Sequence, residues 1–82
     1  MDSDSLQANI THESAALRAQ YPYITDCHTA LLKWSERGEL RYTLHLDIRW
    51  PQHQTIISGA AKDNPAAAIA AAFEAARRSI RP

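Results

Sequence analysis

The sequence predicts an α+β domain of order αβββα, a three-stranded antiparallel meander with two helices packed on one face. Three observations predict it: an apolar stripe at helical spacing over residues 6–21, an unbroken two-residue alternation over residues 41–50, and an alanine-rich run opened by Asn64-Pro65.

The first helix rests on Leu6, Ile10, Leu17 and Tyr21, which at ~100° per residue fall within about one sixth of a helical turn. Asp4 followed by Gln7 reads as a capping pair, and Pro22 drives Tyr21 out of the helical region, so the helix ends near Gln20. Thr11 is a competing cap that would start a shorter helix at His12. Residues 1–4 read as a frayed tail ahead of a single domain over residues 5–82.

Residues 24–33 follow as a weakly alternating strand, with Cys27, Thr29 and Leu31 on one side and His28, Ala30 and Leu32 on the other. The next strand is much clearer. Tyr42, Leu44, Leu46, Ile48 and Trp50 alternate with Arg41, Thr43, His45, Asp47 and Arg49, which is the pattern of a half-buried antiparallel strand. Glu36-Arg37-Gly38-Glu39 supplies the turn between these two strands, and Pro51-Gln52-His53 leads to a short third strand over residues 55–59. In the last helix Asn64 caps the free amides and Pro65 occupies the first position without losing a hydrogen bond. Ile69, Phe73, Ala76 and Ile80 then form the apolar face on an alanine background.

With 82 residues, 45% of them hydrophobic, the chain supports one core and not two. Nine Lys and Arg against nine Asp and Glu give no long-range attraction to nucleic acid or to an anionic membrane, so any RNA contact must be local. Cys27 is the only cysteine, which excludes an internal disulfide or a CxxC pair and fits a reducing compartment. The acidic start, Met1-Asp2-Ser3-Asp4-Ser5, is unlike a signal peptide, and no apolar run reaches 18 residues. A cytoplasmic protein with no membrane partner is expected.

Three blocks, taken in order, resemble one family: Tyr21-Pro22-Tyr23-Ile24-Thr25-Asp26-Cys27, then residues 42–51, then Ala68-Ile69 with Ala72-Phe73-Glu74-Ala75-Ala76-Arg77-Arg78. The family is that of the hibernation-promoting factors and ribosome-associated inhibitors, also called sigma-54 modulation proteins, and the similarity covers roughly residues 6–80. The resemblance implies a βαβββα fold, of which this sequence starts too late to hold the first strand. It also implies a noncatalytic regulator of translation that lies in the decoding channel of the small ribosomal subunit, held by basic residues against ribosomal RNA. The remaining order, αβββα, is also that of double-stranded RNA-binding domains, but their lysine-rich helix start is replaced here by Asn64-Pro65-Ala66-Ala67-Ala68.

The basic residues that could form an RNA face are Lys33, Arg37, Arg41 and Arg49 on the hairpin, with Lys62, Arg77, Arg78 and Arg81 around the last helix; Arg77 and Arg78 match the family's final-helix motif. A plainer reading stands beside this one. Cations in a last turn complement the helix dipole by ~0.3–1 kcal/mol, and arginines on a hairpin solvate an exposed sheet face.

His28 and His45, with Asp47 nearby, could face each other on the open side of the sheet, but nothing of the HExxH type accompanies them and no metal or cofactor is expected. Cys27 has the inward phase of its strand and reads as core packing. Trp50 also has the inward phase. Trp34 beside Leu32, Ala30 and Ile56 would form an exposed apolar patch suited to a protein partner. Ser58-Gly59 is the only serine followed by glycine, and with two glycines there is no GxSxG or phosphate loop, so neither an enzyme nor a small-molecule substrate is expected. Two functions remain: a ribosome-associated RNA binder, or a protein-interaction module, as a homodimer, that uses the open sheet face or a free strand edge. Basic residues gathered on one side would favour the first, and interleaved acids the second.

Overall fold

The computed structural model describes residues 3–80. Its elements run α1 (Ser3–Gln20), β1 (Asp26–Glu36), β2 (Glu39–Trp50), β3 (His53–Ser58) and α2 (Pro65–Ser79), the αβββα order expected. The three strands form one antiparallel sheet in the order β1-β2-β3, with both neighbouring pairs antiparallel.

α1 starts at Ser3, not at His12; it takes in Ser3 and Asp4 of the expected tail, and Asp4 sits inside the first turn, where a carboxylate suits the helix dipole, instead of capping it. Leu17 is fully buried and Ile10 nearly so, while Leu6 and Tyr21 pack against the same core. α2 begins as its residues dictate. The Asn64 side chain accepts a 2.8 Å hydrogen bond from the Ala67 amide, and Pro65 follows in the first turn.

The alternation of β2 places Leu44, Leu46 and Ile48 under α2, all fully buried. Phe73 and Ile69 of α2 fill the space above them, and Ala68, Ala72 and Ala76 let the helix approach closely. α1 packs on α2, and Cys27 of β1 touches the same core. At one end of the sheet Tyr21, Tyr23, Trp50 and His53 form a chain of ring contacts, and the Tyr23 hydroxyl donates to the Ile80 carbonyl (3.1 Å). That chain ties the ends of both helices to the sheet.

The β1–β2 hairpin is longer than expected. Arg37 (φ 53°) and Gly38 (φ 81°) form a two-residue turn with both central residues left-handed, so pairing continues down to Glu36 opposite Glu39. The missing signal was hydrophobic: residues 32–40 are all exposed, so no alternation marks these strands as they run past the helices. The third strand starts at His53 because Pro51-Gln52 makes another two-residue turn, with Gln52 at φ 66°.

Beyond Ser58 the ladder carries an extra residue. Gly59 donates to the Leu44 carbonyl (3.1 Å), yet Tyr42 exchanges both backbone hydrogen bonds with Lys62 (2.8 and 2.9 Å) where an unbroken register would place residue 61. This is a β-bulge opposite Thr43, whose hydroxyl donates to the Gly59 carbonyl (2.6 Å) and which is buried despite its open-face phase.

Candidate nucleic-acid interface

The basic residues expected on one RNA face are divided by the fold. Arg41 and Arg49 lie on the open sheet face, where Arg41 pairs with Glu39 (3.5 Å) and Arg49 with Asp47 (3.3 Å), and Asp26 stands directly across from Arg49. Arg77 lies in the opposite layer and bridges α2 to Glu13 of α1 (3.2 Å, both side chains about one third exposed). Arg78 is exposed at the end of α2, and Arg81 lies outside the described residues. The arginines are thus not gathered on one side, and carboxylates interleave with three of them.

Lys33, Arg37, Lys62 and Arg78 have no carboxylate partner among the described residues. Of these, Lys33 and Lys62 are brought together by the ladder. Lys33 pairs across the sheet with Tyr42, and Tyr42 pairs on its other side with Lys62. Opposed residues share a face, so the three side chains form a row, Lys33-Tyr42-Lys62, with Cα atoms of the two lysines ~10 Å apart from two strand spacings. The row lies on the helix-bearing face, at the α2 N-terminal end, where the hairpin leaves the cover of the helices. The bulge creates it, because without the extra residue Lys62 would fall opposite Arg41 on the open face. Sequence reasoning named both lysines but not Tyr42, since the bulge has no signature in Gly59-Ala60-Ala61. Arg37 stands at the tip of the same hairpin, beside a depression of about 300 Å³ lined by Glu36, Arg37, Glu39 and Arg41, whose mixed charges favour neither sign of ligand.

The histidines do not oppose each other. His28 pairs with Asp47 and His45 with Ala30, because the register is offset by two residues from the one that would join them; His45 instead contacts the Ser58 hydroxyl through Nδ1 (2.9 Å). Among the described residues no three His, Cys, Asp or Glu side chains form a metal-holding group. The Asp47 carboxyl is held below the usual carboxylate range, first by a hydrogen bond from Gln54 (3.0 Å) and then by Arg49. Burial pushes the Cys27 thiol up, against a smaller opposite effect of Ser14 and Arg18, which suits a packing role.

The expected apolar patch is smaller than the sequence suggested. Trp34 and Leu32 are exposed (37% and 48%) and run with Ala30 along the open face of β1. Ile56 is exposed too, but it stands opposite Asp47, level with His28 and not with Leu32. Four residues of strand, ~13 Å, separate those levels. Among the described residues no helix is long and apolar enough to cross a membrane. Compared with known proteins, the chain matches no family model, no curated protein and no solved structure.

Proposed function

We propose that this chain is a noncatalytic RNA-binding domain of hibernation-factor type, which meets the small ribosomal subunit or its RNA through the hairpin end. The observation that carries the reading is the Lys33-Tyr42-Lys62 row at the base of a projecting hairpin with Arg37 at its tip. Two ammonium groups on long stems suit successive phosphates, and an aromatic ring between them gives a splayed base a surface to stack on. The resemblance of the three sequence blocks supplies the ribosomal target.

The arginines, dispersed and interleaved with carboxylates, favour the protein-interaction alternative, so the RNA reading rests on Lys33, Lys62 and Arg37 alone. Arg41, Arg49 and Arg77 each lie within 3.5 Å of a carboxylate, which offsets their charge, and are left out of the RNA set. With three phosphate contacts the salt dependence is shallow, a slope of about −2 for single strands. The test is cosedimentation of the purified chain with small ribosomal subunits across a salt series. Lys33→Ala/Lys62→Ala weakens the association, whereas Arg77→Ala/Arg78→Ala, at the other end of α2, leaves it in place. Absence of cosedimentation at low salt overturns the reading, and so does equal loss in both double variants.

A further inference from the structure

Among the described residues β1 has a strand partner on one side only. It runs for 11 residues without proline, from Asp26 to Glu36. The Tyr42–Lys62 and Gly59–Leu44 bonds show that even-numbered residues of β2 direct their backbone groups toward β3, so its odd-numbered residues bond to β1. Their partners on β1 are the even-numbered ones. By the alternation of an antiparallel ladder, the N–H and C=O groups of Cys27, Thr29, Leu31, Lys33 and Ser35 therefore point outward from the sheet. Such an edge is a template for another strand.

We propose that this edge pairs with β1 of a second copy, antiparallel, with Leu32 facing its own counterpart across the two-fold axis, to give a six-stranded sheet. Three observations select the occupant and the register. Opposed residues share a face, so only pairings that match even with even residues are allowed. Centring on Leu31 would set Asp26 against Glu36 of the partner subunit, two carboxylates in contact. Centring on Leu32 instead sets His28 against the partner's Glu36, Ala30 against the partner's Trp34, and the two exposed Leu32 side chains against each other. The apolar strip of β1 becomes continuous across the axis, with a charge-compatible pair at each end. The outward groups of Thr29, Leu31, Lys33 and Ser35 all find partners in this register. The association uses the backbone edge and the open face, and it stands independently of the RNA reading, which uses side chains on the helix-bearing face.

The test is the mass of the purified chain by sedimentation equilibrium over a concentration series, with four variants. Leu32→Lys puts two ammonium groups at the axis and raises the dimer dissociation constant by about tenfold or more. Ser35→Pro removes an outward N–H without touching the β1–β2 bonds and also weakens the dimer. Circular dichroism and thermal unfolding of both variants stay those of a folded monomer. In a Cys27→Ser background, Leu32→Cys forms an intersubunit disulfide on mild oxidation, because Cα atoms of a non-hydrogen-bonded pair lie ~4.5 Å apart, within disulfide reach. Ala30→Cys in the same background does not, since its copies stand four residues apart. A monomer at every concentration overturns the proposal, as does a dimer that Leu32→Lys and Ser35→Pro leave intact, or bridging by Ala30→Cys in place of Leu32→Cys.

Discussion

Replacing Gly59 with alanine sets two opposing effects against each other, and the geometry decides between them. Gly59 has no left-handed φ, so alanine meets no backbone strain there. By narrowing the unfolded ensemble alone it would stabilise the fold by ~0.4–1 kcal/mol. A Cβ at this position, however, would stand 3.0 Å from the Ala72 Cβ, 3.1 Å from its Cα and 3.2 Å from its N. Two of those three atoms are helix backbone and cannot rotate away. The strand cannot retreat easily either, because the Gly59 amide is bonded to Leu44 and its carbonyl to the Thr43 hydroxyl. Overpacking of this kind costs ~1–3 kcal/mol, so the net effect is a loss of about 1–2 kcal/mol. For a domain of this size that lowers Tm by roughly 4–16 °C. Urea unfolding followed by far-ultraviolet circular dichroism, with a thermal scan, measures both. A Gly59→Ala protein as stable as the parent, or more so, would refute the view that β3 and α2 are held at a fixed, backbone-limited separation.

Three further outcomes follow from local geometry. Arg37 occupies a left-handed turn position that suits Asn far better, so Arg37→Asn stabilises the hairpin by up to ~1 kcal/mol in denaturant while it weakens small-subunit association; a loss of stability would contradict the turn assignment. Asn64→Ala removes the cap on the Ala67 amide and costs ~1 kcal/mol of unfolding free energy, most of it recovered in Asn64→Ser. The depressed Asp47 carboxyl adds stability that is present above its unfolded pKa and is lost as pH falls through the lower folded value. Gln54→Ala moves its titration, followed by carboxyl carbon-13 NMR, upward toward the ordinary ~3.9. An unmoved titration would show that the Gln54 bond is not the dominant cause.

The elements that were legible in the sequence are those whose signal is burial or local capping. Residues 44–48 announce β2 because every second side chain there is a core residue, and Asn64-Pro65 announces α2 because both act within one turn. The outer hairpin was not legible, since Ser35, Glu36 and Glu39 bury nothing and the turn alone extends the pairing to them. The candidate site was legible as a list of cations but not as an arrangement. Arg77 meets Glu13 across 64 positions of chain, and Lys62 reaches Tyr42 only through a bulge. Periodicity reports which face a residue takes within its element, while contacts of this kind depend on how elements meet.

The hairpin also divides the domain by how firmly its backbone is held. Around Leu44, Leu46 and Ile48 the ladder lies beneath buried side chains, so its amides exchange with solvent only when the whole domain unfolds. Residues 32 to 40 are all exposed, and among the described residues it is mainly backbone bonds and cross-strand pairs that hold the strands there. Amides there exchange through openings that leave the core closed. A target can therefore reshape the arm without any loss of packing beneath α2, and the entropy lost on ordering is confined to fewer than a dozen residues.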